Sequence, residues 1–371
     1  MLVEAEEPAC RLLLFCVTFF CYIWKRRNPA QIISYFYSVA IMKGSVLTVL
    51  LLFIAAGIAL GQQQPQFTQY GFNGMYLNPG YAGVKGYGEI TTIGRYQYVG
   101  YNATVDAGGS PQTYLLSASV PVKFLRGGLG INLYKDKIAE TDVTSANLSY
   151  SYHLKIGEGT LGLGVQGILT NIHQGNFRPA EPNDPAVPVE SSDRKIDAGV
   201  GAWYETEKLY AGLSVNNLLR SEYKFQNYRG VVDSASVIGE NHVYLTGGYN
   251  IQATSSVVVT PTVLVKMVLP GKVGDSGKFA QDKTSFELGA RATFNDKYWG
   301  GVGYRFQESF NALVGVSFAK DNAFKVGYGF DFIAFNQDAR ALSSHEIMLS
   351  YRLPKPSNIL RPAIRTPRYS F

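Results

Sequence analysis

The sequence predicts an all-β fold, a transmembrane outer-membrane β-barrel of about 14 antiparallel strands. Three observations predict it. Apolar residues alternate with small or polar ones, with a period of two, in segment after segment. Short and long connections take turns along the chain. Gly (39), Tyr (25) and Phe (21) are abundant, while charged residues make up only 17% of the 371 positions. That composition suits strands with interfacial aromatics. Hydrophobic residues reach 46%, yet mean hydropathy is near neutral, as alternation requires and continuous apolar spans do not.

The N-terminus reads as processed. Met42-Lys43-Gly44-Ser45 and the apolar run Val46–Leu60 have the form of a secretory signal peptide over 42–61, with small residues Ala59 and Gly61 before a cut at Gln62. Residues 1–41 differ from everything downstream and read as a start called too early or an extended leader. The apolar run Leu12–Trp24 stops at Lys25-Arg26-Arg27 and is shorter than the roughly 20 residues of a spanning helix. Residues 62–86 form a periplasmic N-terminal segment, aromatic but broken by Gly and Pro, as at Asn78-Pro79-Gly80. They are too few for the plug domain of a large energised transporter, and are expected in the barrel mouth or under its periplasmic rim.

The barrel itself is expected over 87–353. Phe324, Val326, Tyr328, Phe330 and Phe332 alternate with Lys325, Gly327, Gly329 and Asp331. Phe286, Leu288, Ala290, Ala292 and Phe294 alternate with Glu287, Gly289, Arg291 and Thr293. The same pattern marks strands centred near residues 93, 116, 132, 148, 165, 200, 212, 247, 262, 288, 302, 314, 328 and 348. Tight turns are read at 155–159, 206–208, 253–255, 295–297 and 320–322, most carrying the Gly, Asn, Asp or Ser that turns favour. Longer connections fall at 99–110, 172–193, 218–240, 269–282 and 333–343, with 138–141 and 307–309 as short exceptions. Outer-membrane barrels combine short periplasmic turns with long external loops in this way. An even strand count also returns the C-terminus to the side where a cleaved signal peptide leaves the N-terminus. A soluble β-sandwich would alternate too, but its core would be packed poorly by so much Gly. The tail, 354–371, is basic and Pro-rich and reads as a periplasmic arm or a disordered end.

Polar residues on the small face are candidates for a lumen network: Arg95, Glu287, Arg291, Arg305, Asp331, Glu346 and Arg352. Arginine donates two bonds at once to a carboxylate, which suits it to such pairs. The plainer role, bracing the barrel wall, needs no ligand. His153, His173, His242 and His345 are too scattered for metal-site spacing. No nucleophile motif is visible, so no enzyme activity and no cofactor are expected. Cys10, Cys16 and Cys21 all precede Met42, which leaves no disulfide or thiolate metal site downstream. The net charge of +6 is not clustered into runs, which argues against a nucleic-acid partner.

Gln66-Phe-Thr-Gln-Tyr70 followed by Tyr76-Leu-Asn-Pro-Gly-Tyr-Ala-Gly83 resembles the opening of PorP/SprF proteins, type IX secretion system membrane proteins of Bacteroidota. Further pieces follow in order: Arg95-Tyr-Gln-Tyr98, Gly127-Gly-Leu-Gly130, Asn183-Asp-Pro185, Asp197-Ala-Gly-Val-Gly201, Tyr298-Trp-Gly-Gly301, Gly327-Tyr-Gly-Phe-Asp331 and Arg365-Thr-Pro-Arg368. The resemblance implies a non-enzymatic barrel in the outer-membrane lipid, working with periplasmic type IX and gliding components. It implies partners too: secreted adhesins carrying a type B C-terminal sorting domain. Phe67, Gln69, Tyr70, Asn78, Pro79 and Tyr81 in the opening segment are the expected partner-binding residues. A passive channel or hydrophobic-solute transporter is the alternative, and an outer-membrane hydrolase a third reading.

Overall fold

The computed structural model of the chain describes residues 64–101, 109–175, 189–226, 232–269, 284–335 and 341–354. The expected leader, signal peptide and basic tail lie outside the described residues, as does most of the 269–282 connection. The strands in chain order begin with β1 (Glu89–Tyr96), β2 (Gln112–Val122), β3 (Gly127–Ile138), β4 (Thr141–Ile156), β5 (Gly159–Gln174) and β6 (Ser191–Glu205). There follow β7 (Leu209–Asn216), β8 (Glu222–Gln226), β9 (Val232–Ile238), β10 (Asn241–Tyr249), β11 (Ile251–Gln252) and β12 (Val257–Leu269). The last five are β13 (Ser285–Phe294), β14 (Tyr298–Arg305), β15 (Ser309–Phe318), β16 (Phe324–Ile333) and β17 (Ser343–Arg352).

Fourteen of these close into a barrel in which every pairing is antiparallel. Neighbours in the wall are neighbours in sequence except at two places. β1 pairs with β17, and β7 pairs with β10 across an excursion. The β10–β12 pairing completes the ring, with β11 a two-residue extension on β12. Each strand centre read from the sequence falls inside a wall strand. The 218–240 connection, expected as one of the longer ones, contains the separate β8–β9 hairpin. Tyr223 and Phe225 of that hairpin bury against Ile172 of β5, which gives it an apolar anchor of its own.

Alternation decides which way each side chain faces. On β1, Glu89, Thr91, Ile93 and Arg95 are buried inward while Ile90, Thr92 and Tyr96 face out. The outer surface is an apolar band that includes Leu148, Val165, Leu213, Val302, Val314 and Ile347. In water such a surface would be an aggregation hazard; against lipid it is the required solvent face. Aromatics cluster towards its two ends, with Tyr96, Tyr114, Phe310 and Phe332 at one and Phe294, Tyr298, Phe318 and Phe324 at the other.

The lumen is not empty. Residues 64–88 run through it, from the end where the long connections emerge to the end of the short turns, and then feed β1. Their only regular structure is a 3-10 turn at Tyr70–Phe72, one α-helical turn at Gly74–Leu77 and a second 3-10 turn at Pro79–Tyr81. The protein's main core lies between this segment and the wall. Phe67, Tyr70, Tyr76 and Leu77 pack with Ile93, Leu115, Tyr134, Leu264, Trp299 and Met348. A second cluster joins Met75, Tyr81, Ala82 and Val84 to Trp203. The expectation that this segment lies at the mouth or below the rim is therefore corrected. The glycine-rich inner face leaves a channel wide enough for a backbone, and burying its aromatics there contributes roughly 1.5–3 kcal/mol per large side chain.

Candidate functional site

A chain with so little regular structure has backbone groups that its own turns cannot satisfy, and buried ones must find partners. The wall supplies them. The N–H groups of Thr68 and Gln69 donate to the two Glu346 oxygens, each at 2.9 Å. Asn132 donates to the Met75 carbonyl at 2.9 Å, Ser214 to Leu77 at 2.6 Å and Ser151 to Gly80 at 2.9 Å. Lys266, itself fully buried, donates to the Gln64 carbonyl. In return the segment braces the wall. The Asn78 side chain donates to the Ala202 and Leu213 carbonyls of β6 and β7, at 2.9 and 3.0 Å. Tyr76 donates to the Pro65 carbonyl and Tyr81 to Glu89.

Glycines make the close approach. A Cβ at Gly162 or Gly164 would meet the backbone of Pro79 and Gly80, and one at Gly201 would meet Asn78. Gly83 has φ +69° and sits where a Cβ would be 2.8 Å from the Gly128 Cα and 2.9 Å from that of Pro121. It therefore requires glycine for both its conformation and its contacts.

The charged centre of the lumen joins strands on one side of the barrel. Register places Arg95 directly opposite Glu346, and Arg305 directly opposite Glu287. Arg95 pairs with Asp331 at 2.5 Å and with Glu346 at 3.2 Å. Arg305 pairs with Glu287 at 2.9 Å and with Glu308 at 3.1 Å, and reaches Asp331 at 3.6 Å. Asp331 thus links the two arginines. The inner segment enters this cluster through Thr68, whose hydroxyl donates to Asp331 at 2.5 Å and accepts from Arg95 at 3.1 Å. It enters again through Gln66, which donates to Glu287 at 3.0 Å. Every long charged member except Glu308 is almost wholly buried.

Of the seven residues expected in a lumen network, five meet here: Arg95, Glu287, Arg305, Asp331 and Glu346. Arg291 and Arg352 share the face but not the depth. They sit towards the short-turn end, over the rings of Phe72 and Tyr87 respectively. Alternation assigns a face, while depth depends on register across several strands. The residues expected to meet a partner, Phe67, Gln69, Tyr70, Asn78, Pro79 and Tyr81, are all buried against the wall or within the segment. As placed, they hold the lumen filling and present little surface to another protein. Sequence reasoning missed Asn132, Ser151, Ser214 and Lys266, whose only signal was a polar residue on the small face.

Each end of the lumen keeps a cavity. Under the β8–β9 hairpin a space of about 170 Å³ is lined by Tyr134, Val143, Ile172, Tyr223 and Pro65. At the short-turn end a larger vestibule of about 850 Å³ reaches Phe72, Trp299, Arg291 and Lys325.

These features define a class: an outer-membrane β-barrel whose lumen is filled by the segment preceding its first strand. Residues 59–351 match the model of the family described as type IX secretion system membrane protein PorP/SprF, and the chain belongs to that family. No curated protein matches it. Solved structures similar to it include the Ralstonia pickettii toluene transporter TbuX (TM-score 0.45, 11% identity, 75% of this chain and 92% of that one). A Pseudomonas aeruginosa FadL homologue is also similar (TM-score 0.40, 12% identity, 71% and 89% of the two chains).

Proposed function

We propose that this protein is a non-enzymatic component of the type IX secretion and gliding machinery. On this reading it supports secretion or surface anchoring of a partner protein that carries a type B C-terminal sorting domain. Its short turns and the basic tail face the periplasmic components, and its long connections face outward. Family membership supports the setting, and the filled lumen is the observation that carries the role. A barrel whose interior is bonded to its own inner segment offers rims and loops rather than a conduit. The channel or solute-transporter alternative needs a continuous path, and residues 64–88 occupy its course.

Crosslinking in cells followed by affinity purification of the tagged protein from detergent tests the reading. Type IX components and a sorting-domain protein are expected to co-purify. Deleting the gene is expected to remove that protein from the cell surface. Repeated recovery of the barrel alone, with surface display intact, would overturn it.

A further inference from the structure

The vestibule at the short-turn end has a floor that the lumen filling does not explain. Phe72 closes it from the inner segment, with the Trp299 ring 5.0 Å away. Two cations lie over the same Phe72 ring, the Arg291 guanidinium at 4.3 Å and the Lys325 amine at 5.7 Å. Arg291 stands three residues from the end of β13, and Lys325 is the second residue of β16. Among the described residues no carboxylate lies within ion-pair distance of either. Arg291 also keeps a buried Nε without a hydrogen-bond partner. Glu89, on the same side of the lumen, is engaged by Tyr81 and Ser350. Acids do line the cavity, namely Glu207, Asp296 and Asp321, but they stand on the turns at its rim.

Two like charges held near one ring in a recess repel each other and have given up hydration. Contact with the ring returns part of that. The centre of the lumen shows the usual solution, carboxylates for Arg95 and for Arg305, whereas among the described residues neither Arg291 nor Lys325 makes such a pair. We infer that the vestibule is a binding site for an organic anion, a carboxylate or phosphate group carried on an apolar or aromatic body. The anionic group lies between Arg291 and Lys325, and the body rests on Phe72 and Trp299. The cavity of about 850 Å³ is in the size range of sites for small organic ligands. The ligand enters from water rather than from the bilayer, because strand pairing around the vestibule is continuous to the rim. Val257 pairs with Phe294, Phe294 with Tyr298, Phe318 with Phe324, and Phe324 with Tyr351. The source is a free small molecule or an acidic side chain on a polypeptide. The site belongs to the wall and the inner segment and does not depend on the proposed partner.

Calorimetry on the detergent-purified barrel tests it with two probes, phenyl phosphate and the blocked peptide acetyl-Glu-Phe-Glu-amide. Binding of either supports the site, and which binds tighter separates the two sources. Affinity is expected to fall with added salt. It is expected to fall at least about tenfold, a 1.4 kcal/mol change, when Arg291→Gln and Lys325→Gln are combined. Lys123→Gln, exposed on the β2–β3 turn and outside the cavity lining, is expected to leave it unchanged. Lysine acetylation of the unaltered protein gives a second measurement that needs no variant: saturating probe is expected to slow modification of Lys325 relative to Lys123. Absence of binding by both probes, or binding that survives loss of both cations in a folded barrel, overturns the inference. So does a Lys325 reactivity that no probe alters.

Discussion

Arg95 shows what a single buried charge does in this lumen. Its guanidinium neutralises Asp331 and Glu346 and touches Thr68, so two wall strands and the inner segment meet on one side chain. Removing one partner of a buried pair leaves the other charge uncompensated, at a cost of about 3–5 kcal/mol. Arg95→Met is therefore expected to lower the urea midpoint of the reconstituted barrel by that order of free energy. Asp331→Asn is expected to cost less. It leaves Arg95 with Glu346 and Arg305 with Glu287 and Glu308, and it keeps the side-chain shape. Equal unfolding curves for Arg95→Met and the parent would show that the cluster contributes nothing net. The order of the two variants separates a linked network from isolated pairs, since isolated pairs would make the two substitutions equivalent.

At the scale of elements, the inner segment depends on the glycine windows of β5. Gly164→Val would push side-chain atoms into the backbone of Pro79 and Gly80, where no flexible neighbour can yield. The barrel strands lose no pairing from that change. The expected outcome is a barrel that still migrates as folded when unheated, with a displaced segment and new ion conductance in planar bilayers. Parent-like silence together with parent-like stability would mean that the segment does not close the lumen. The wall was legible in the sequence because a period of two is a local signal: Phe324–Phe332 alone shows which residues face lipid. The segment was not, because its contacts are remote in sequence, as between Asn78 and Leu213 or Thr68 and Glu346. A strand with one buried face announces itself, whereas an irregular chain bonded to side chains scattered over the whole wall does not. The ion cluster was half legible for the same reason. Alternation put Arg95 and Arg291 on one face, and only the register of β1 against β17 gave Arg95 its Glu346.

For the whole molecule the proposed orientation has a direct test, and the chain is well suited to it. All three cysteines precede Met42, so with Cys10, Cys16 and Cys21 replaced by serine an engineered cysteine after that point reports alone. Glu158 lies exposed on the two-residue turn between β4 and β5, at the short-turn end. Glu190 lies exposed just before β6, at the end of the long connections. Both β1 and β17 meet the short-turn end, where Leu353 donates its N–H to the Gly88 carbonyl. The inner segment nevertheless begins, at Gln64, near the opposite end. With the short turns periplasmic, a membrane-impermeant maleimide added to intact cells is expected to label Glu190→Cys and spare Glu158→Cys. Both should react once the outer membrane is opened. The reverse pattern would put the vestibule, with Arg291 and Lys325, on the cell surface, and would place the periplasmic machinery against the long connections instead.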